Sequence, residues 1–159
     1  MFSRLIPILV LVATSALTAQ AAPADKPAFD AALAEKTGAD ERGMRAYVLV
    51  ILKTGPNKVA AGPERDEMFK GHFANMKRLG DAGKLAVAGP FEAQKGVPSD
   101  GWRGLFIFAV PTVEEAQALV ATDPVIQKGE MVAEFHPLYS SAALMLVNEG
   151  HGKVTKKPF

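Results

Sequence analysis

The chain has 159 residues, 48% of them hydrophobic and 22% charged, a composition typical of one globular domain and unlike a disordered segment. Its 18 basic and 17 acidic side chains give a net charge of +1, which argues against a nucleic-acid or anionic-membrane partner. There is no cysteine, which excludes disulfides, thiolate chemistry, iron–sulfur clusters and cysteine-based zinc sites.

Residues 1–21 have the pattern of a secretory signal peptide. Arg4 is their only charge, a mainly apolar run follows over 5–17, and small residues flank position 20 as at a cleavage site. An uncleaved anchor is the alternative, but the run is shorter than the roughly 20 apolar residues that span a bilayer. We therefore expect cleavage, no stable membrane anchor afterwards, and a periplasmic or secreted protein of zero net charge.

Residues 22–45 form a polar, alanine-rich N-terminal arm. One or two helical turns are predicted over 30–36, ending near Gly38. The arm has little apolar surface to bury, so it is expected outside the core, ordered only against the domain or a partner.

The first half of the predicted domain contains a strand, a helix and a second strand. The apolar, largely β-branched run 47–52 predicts the first strand. The helix over 63–82 begins with a proline and acidic residues, which suit its N-terminal turn. Apolar residues spaced three or four positions apart lie on one face of this helix and are expected to form its apolar stripe: Phe69, Phe73, Met76 and Gly80. His72 and Leu79 are expected at the edge of the stripe.

The second half repeats this order. After a short strand at 85–88 and a loop rich in turn formers, a third strand is predicted over 105–110. Thr112 opens a capping box for a helix that ends near 122, and a fourth strand follows over 131–138.

Strand–helix–strand–strand–helix–strand is the order of the ferredoxin-like βαββαβ plait, an α+β fold with both helices on one face of an antiparallel sheet. The strands at 47–52 and 105–110 are apolar on both faces, so the second face also needs a cover. A homodimer, sheet against sheet, is expected. The alternative is that the arm and the C-terminal segment 142–147 cover this face within one chain.

Two polar residues could carry chemistry, and each also has a simpler interpretation. His72 lies at the edge of the helix stripe and could be an ordinary core histidine. Asp123 precedes Pro124 and could serve only as a turn residue. The functional hypothesis is that Asp123 orients a histidine for acid–base chemistry.

The remaining histidines fit less well. His136 is expected at an edge or in solvent, and His151 lies in the basic tail. No close ligand spacing of the kind found in zinc sites is present, so no metal is predicted. Phosphate-binding glycine loops and a nucleophile elbow are also missing from the sequence.

From 47 to 139 the sequence resembles the YciI-related (YCII) domain family. Besides the apolar first strand, the resemblance is carried by short segments in a characteristic order: Gly71-His72-Phe73, Ala82-Gly83-Lys84-Leu85, Ala88-Gly89-Pro90-Phe91, Gly104-Leu105-Phe106-Ile107-Phe108, Glu114-Glu115-Ala116 and Asp123-Pro124-Val125. The domain is accordingly placed at 46–139, with a C-terminal extension and tail at 140–159.

The resemblance implies a dimeric ferredoxin-like α+β barrel with a pocket near the first helix. It also implies a His–Asp pair, which falls on His72 and Asp123. Most members have no assigned reaction, and one characterised type resembles a cofactor-free dehydrochlorinase of a hydroxylated chloroaromatic ring. The signal peptide, the arm and the tail depart from the family pattern and put a shared substrate in doubt.

Together these features predict an exported protein that binds a small, aromatic or oxygenated molecule. In the enzyme hypothesis, His72 transfers a proton in an elimination or isomerisation, Asp123 orients it, and no cofactor is needed. Phe91 and Trp102 are predicted to line the pocket, because they flank the loop freest to close over it. The alternatives are a non-catalytic binding or sensory module with the same pocket, and a purely structural dimer without a cavity.

Overall fold

The computed structural model describes residues 27–92 and 101–156. In chain order the elements are α1 (Ala31–Thr37), β1 (Met44–Thr54), α2 (Pro63–Asp81), β2 (Leu85–Pro90), β3 (Trp102–Phe108), α3 (Val113–Val120), α4 (Pro124–Gln127), β4 (Met131–Ser141), a 3-10 helix (Ala142–Leu146) and α5 (Val147–Val154). The predicted signal peptide and most of the predicted loop, at 93–100, lie outside the described residues. None of the helices within the described ranges is long and apolar enough to cross a membrane.

The four strands form one antiparallel sheet in the order β2-β3-β1-β4. Val50, at the centre of β1, lies opposite Phe106 of β3 on one side and Phe135 of β4 on the other. The strand order and the two crossing helices confirm the predicted α+β, ferredoxin-like plait.

One face of the sheet carries the main core, packed beneath α2 and α3. Alternate residues of β1 and β3 are buried there, namely Val48, Val50, Leu52, Phe106 and Phe108. The helices contribute Met68 and Leu79 from α2 and Ala116 and Val120 from α3. Such an apolar layer between helices and sheet is the dominant stabilising contribution in a fold of this class.

The buried stripe of α2 is displaced from the predicted one. Met68, His72, Asn75 and Leu79 are the buried residues, whereas Phe73, expected in the stripe, is 44% exposed. The prediction placed the large apolar residues on the buried face. In the structure, the face that meets the sheet and α4 includes a buried histidine and a buried asparagine. His72 is therefore central on this face rather than at its edge.

The segment from α3 to β4 contains more structure than predicted. The Thr112 hydroxyl accepts the Glu115 N–H at 3.2 Å, as expected of a helix cap. Beyond α3 the chain forms the additional short helix α4, and Asp123 caps it by accepting the Val125 N–H at 3.1 Å.

The second face of the sheet is covered in part by the C-terminal segment. Leu144 and Met145 of the 3-10 helix pack on a small buried cluster centred on Tyr47, whose hydroxyl donates to the Ser141 carbonyl. Leu49 and Leu105, on the same face, stay only half-buried. The intrachain cover considered as an alternative is thus present over part of the face.

The described part of the arm lies against this C-terminal segment. Asp30 caps α1, and Gly38 ends it with a φ of 67°, a left-handed conformation that glycine adopts without strain. Thr37 is buried, and Lys36 pairs with Glu149 of α5 at 3.2 Å. The arm is therefore ordered by contact with the C-terminal extension.

Candidate functional site

A cavity of about 350 Å³ opens between α2 and the sheet, beside the main core. Its walls are mainly apolar and come from both layers: Leu52, Phe69, Phe73, Met76, Phe106 and Met131. Within 27–92 and 101–156, the polar side chains at its walls are His72 and Arg103. The volume and the few polar groups are typical of a small-molecule site. We call this the apolar cavity.

His72 and Asp123 meet in the wall of the apolar cavity. The Nδ1 atom of His72 lies 2.8 Å from one carboxylate oxygen of Asp123 and 3.0 Å from the other. Only 7% of His72 and 1% of Asp123 is exposed. Because the pair is shielded from water, its hydrogen bond is electrostatically stronger than a surface contact would be.

The local sequence explains how Asp123 reaches the histidine. Pro124 disfavours helical geometry at Asp123, which is extended with φ −86° and ψ 126°, so that its side chain folds back over α4. On the other side, Gly71 lets α2 come close, because a Cβ atom there would lie 3.0 Å from the Pro124 side chain. Proline on one element and glycine on the other thus bring the two elements into contact.

A second polar contact joins the same two elements one helical turn away. The Asn75 side-chain oxygen accepts hydrogen bonds from Arg78 at 2.7 Å and from the Thr122 hydroxyl at 3.1 Å. Thr122 immediately precedes Asp123, so this contact restrains the backbone that carries the carboxylate. Asn75 thus links α2 to the segment that carries Asp123.

The pairing determines which histidine nitrogen can act on a ligand. An ionised carboxylate only accepts hydrogen bonds, so the proton of the neutral imidazole belongs on Nδ1. In this tautomer Nε2 is the ring nitrogen that can accept a hydrogen bond. The rings of Phe69, Phe73 and Phe106 surround the imidazole, with centroids 5.4–6.1 Å from its own.

A second cavity, of about 340 Å³, adjoins the first and is polar. It is lined by Thr54, Lys58, Arg65, Arg103 and Glu130. Arg103 lines both cavities, which shows that they are neighbours. We call this the polar cavity.

Glu130 is the buried carboxylate of the polar cavity, with 2% of its surface exposed. It accepts the Val59 N–H at 2.7 Å and an Arg65 N–H at 2.7 Å, and Arg103 lies 3.9 Å away. Burial acts to raise the pKa of Glu130, but the Val59 N–H and the two guanidinium groups outweigh it and hold that pKa below its ordinary value. Glu130 is therefore an ionised, paired group.

The two residues predicted to line the pocket contact each other at one end of the sheet. Phe91 directly follows β2 and Trp102 begins β3, their ring centroids are 5.3 Å apart, and neither is among the residues that line the apolar cavity. Strand pairing, with the Phe91 N–H bonded to the Arg103 carbonyl, brings them together. Their role in binding stays a prediction.

The other two histidines are exposed, unlike the buried His72. His136 lies on β4, with its side chain 47% exposed and its Nε2 2.8 Å from Glu134. His151 is an exposed residue of α5. Within 27–92 and 101–156, no group of three or more metal-ligating side chains could hold a metal ion.

The sequence interpretation missed Arg103, Glu130 and Asn75. Glu130 and Arg65 are 65 positions apart, and neither lies in a recognisable motif. Arg103 looked like a residue in a loop before β3. For Asn75 a weak signal existed, because it is one helical turn after His72 and would share its face.

Comparison with known proteins agrees with this fold. The model of the YCII-related domain matches residues 46–135, more than half of the chain, so the protein belongs to the YCII-related domain family. No curated protein matches the sequence.

One similar solved structure is 5-chloro-2-hydroxyhydroquinone dehydrochlorinase (TftG) from Burkholderia phenoliruptrix AC1100, in complex with 2,5-dihydroxybenzoquinone. The two chains are 21% identical, and the match covers 59% of this chain and 90% of that chain with a TM-score of 0.39.

Proposed function

We propose that this YCII-related protein is a cofactor-free enzyme that binds a small aromatic or oxygenated molecule in the apolar cavity and transfers a proton through His72. The observation that carries the proposal is the 2.8 Å contact between His72 Nδ1 and Asp123 at the wall of a 350 Å³ cavity. An oriented histidine beside a ligand-sized cavity is an arrangement that general acid–base catalysis can use.

The proposed chemistry needs only a proton and an electron pair to move. His72 Nε2 removes a proton from the ligand, and Asp123 stabilises the imidazolium that forms. In an elimination, the electrons of the broken bond form a double bond while a leaving group departs with its own pair. In an isomerisation, the proton returns to another carbon. Neither reaction requires an electron acceptor, so no cofactor is proposed.

Aromatic ligands are favoured by the walls of the cavity. Three phenylalanine rings line it, and ring faces and edges pair favourably with a bound aromatic ring. Binding without catalysis requires only this cavity, and a non-catalytic binding or sensory module is the competing function. A purely structural role predicts no cavity, so the apolar cavity argues against it.

The test is exchange of ligand protons with solvent. A panel of hydroxylated aromatic and carbonyl compounds is incubated with the protein in D2O, and loss of C–H signals is followed by proton NMR. We expect exchange or turnover of at least one bound compound, abolished in His72→Gln. His136→Gln is the matched control, because it removes an exposed histidine outside the cavity.

Binding that moves cavity signals without exchange, elimination or isomerisation would favour the binding module. Exchange that persists in His72→Gln would overturn the assignment of the base.

We further propose that the protein is exported and works as a homodimer. Export is supported by the pattern of 1–21, and the dimer by the half-buried Leu49 and Leu105 on the second face of the sheet. Leu49→Lys should shift the molecular mass measured by light scattering towards the monomer, whereas Leu33→Lys on α1 should not. An unchanged mass in Leu49→Lys would contradict this interface.

A further inference from the structure

Among the described residues, the polar cavity carries more positive than negative charge. Lys58, Arg65 and Arg103 line it together with one carboxylate from the described ranges, that of Glu130. Arg65 already neutralises Glu130 at 2.7 Å and also donates to the Val59 carbonyl at 2.9 Å. Arg103 interacts with Glu130 only at 3.9 Å, and Lys58 is exposed, so both cations can also attract an anion that enters the cavity.

Arg103 is held much more loosely than Arg65. Its guanidinium lies 3.9 Å from Glu130, beyond hydrogen-bond distance, and makes no side-chain hydrogen bond within 27–92 and 101–156. Yet only about a third of the side chain is exposed. A guanidinium presents five N–H donors, and those of Arg103 that no protein acceptor in the described residues occupies are open to an incoming acceptor.

The position of Arg103 connects this positive charge to the proposed reaction. The same side chain lines the apolar cavity together with His72. A molecule with its ring beside the imidazole can therefore present a charged substituent to the guanidinium. Apolar walls strengthen such an attraction, because they exclude the water that would screen it.

We propose that the polar cavity is an anion subsite, where Arg103 and Lys58 bind a carboxylate or an oxyanion of a ligand whose apolar body lies beside His72. The inference rests on the proposed function and narrows its substrate class to acidic molecules. Arg103 binds the anionic group in a forked, charge-assisted contact, and Lys58, which is exposed, adds a point charge. In a proton transfer, the same guanidinium stabilises negative charge that develops on the ligand oxygen.

The test compares two probes of the same shape, benzoate and benzamide, of which only benzoate is charged at neutral pH. The protein is labelled at its methionine methyl groups, because Met76 and Met131 line the apolar cavity while Met44 and Met145 lie away from it. NMR titration of the Met76 and Met131 signals gives an affinity for each probe, and the other methyl signals report an intact fold.

We expect benzoate to bind about tenfold more tightly than benzamide, or better, the size of one charge-assisted hydrogen bond. Arg103→Gln should reduce this preference to less than about twofold while leaving benzamide binding unchanged, and Arg103→Lys should keep part of it. Arg42→Gln is the matched control, since it removes the same charge from an exposed turn at the other end of β1.

Equal affinities of the two probes in the parent protein, or a preference that survives Arg103→Gln, would overturn the anion subsite and leave the apolar cavity as a ligand site. If neither probe moves the Met76 and Met131 signals, both the subsite and the proposed ligand cavity are overturned.

Discussion

Two buried carboxylates flank the short helix α4 and have opposite characters. Asp123 precedes the helix and Glu130 follows it, and they are 1% and 2% exposed. Asp123 is paired with the imidazole of His72, a group that can both accept and donate a proton, whereas Glu130 is paired with the guanidinium of Arg65, which only donates hydrogen bonds. The partner, and not the burial, distinguishes a group suited to chemistry from a group suited to structure.

The largest expected effect is the loss of stability when Glu130 is replaced. Glu130→Gln should lower the free energy of unfolding at neutral pH by about 2 kcal/mol or more, because it leaves the Arg65 guanidinium without its charged partner. Urea denaturation measures the loss. Glu64→Gln removes an exposed carboxylate 2.7 Å from Lys128 and should cause no measurable change. Equal stability of Glu130→Gln and Glu64→Gln would contradict a structural role of the Glu130–Arg65 pair.

The stability of Glu130→Gln relative to the parent protein should also depend on pH. The pKa of Glu130 is lowered in the folded protein, so on acidification the unfolded chain takes up the proton first. The stability that Glu130 contributes is complete above its unfolded pKa, ordinarily about 4.5, and is lost as the pH falls through the folded value. The stability difference between parent and Glu130→Gln should therefore be largest at pH 6–7 and shrink below about pH 4.5.

A difference that grows on acidification would contradict the paired, ionised state of Glu130. The subtraction of the two proteins cancels the other carboxylates, which titrate in both.

A smaller loss of stability is expected at Asp123. Asparagine keeps the shape and can still accept the Val125 N–H, so Asp123→Asn should cost about 1 kcal/mol. Its main effect should be on His72, because an amide can both donate and accept and no longer selects one tautomer. Nitrogen-15 NMR of the imidazole should show Nε2 unprotonated in the parent and a mixture of tautomers in the variant. Identical tautomer populations would contradict the assigned role of Asp123.

The smallest effect tests the contact that brings α2 to Asp123. Glycine to alanine in a helix usually stabilises it by about 0.5–1 kcal/mol. Gly80→Ala should show this gain, because a Cβ atom there meets the Asn148 side chain only at ordinary contact distance, 3.6 Å. Gly71→Ala should lose the gain or reverse it, because Pro124 lies 3.0 Å from the added atom.

Thermal or urea unfolding of the two variants measures their difference. Equal gains at both positions would show that α2 and α4 are not in the close contact on which the His72–Asp123 geometry depends.

Much of the fold could be predicted from local patterns. The β-branched run of β1, Pro63 at the start of α2 and the cap at Thr112 are signals that act within a few residues, and each gave the correct element. The burial of α2 was harder, since hydrophobicity alone selected Phe73 over His72 and Asn75. His72 and Asn75 can be buried because Asp123 and Thr122, between α3 and α4, bind them. A local sequence pattern within α2 does not contain these partners.

The residues of the candidate site were likewise only partly predictable from the sequence. Residue spacing left His72 and Asp123 open to ordinary interpretations, and the family resemblance singled them out as a pair. Arg103 and Glu130 had neither a motif nor a resemblance to mark them. They meet because β3 and β4 both pair with the same end of β1, which is a tertiary feature.

The contact between the arm and the C-terminal extension makes these two flanks of the domain interdependent. α1 packs on the 3-10 helix, Lys36 pairs with Glu149, and the Gly43 carbonyl accepts the Ala142 N–H at 2.9 Å. Either flank alone would have an uncovered surface where the other now lies. We therefore expect the two flanks to become ordered, and to loosen, together.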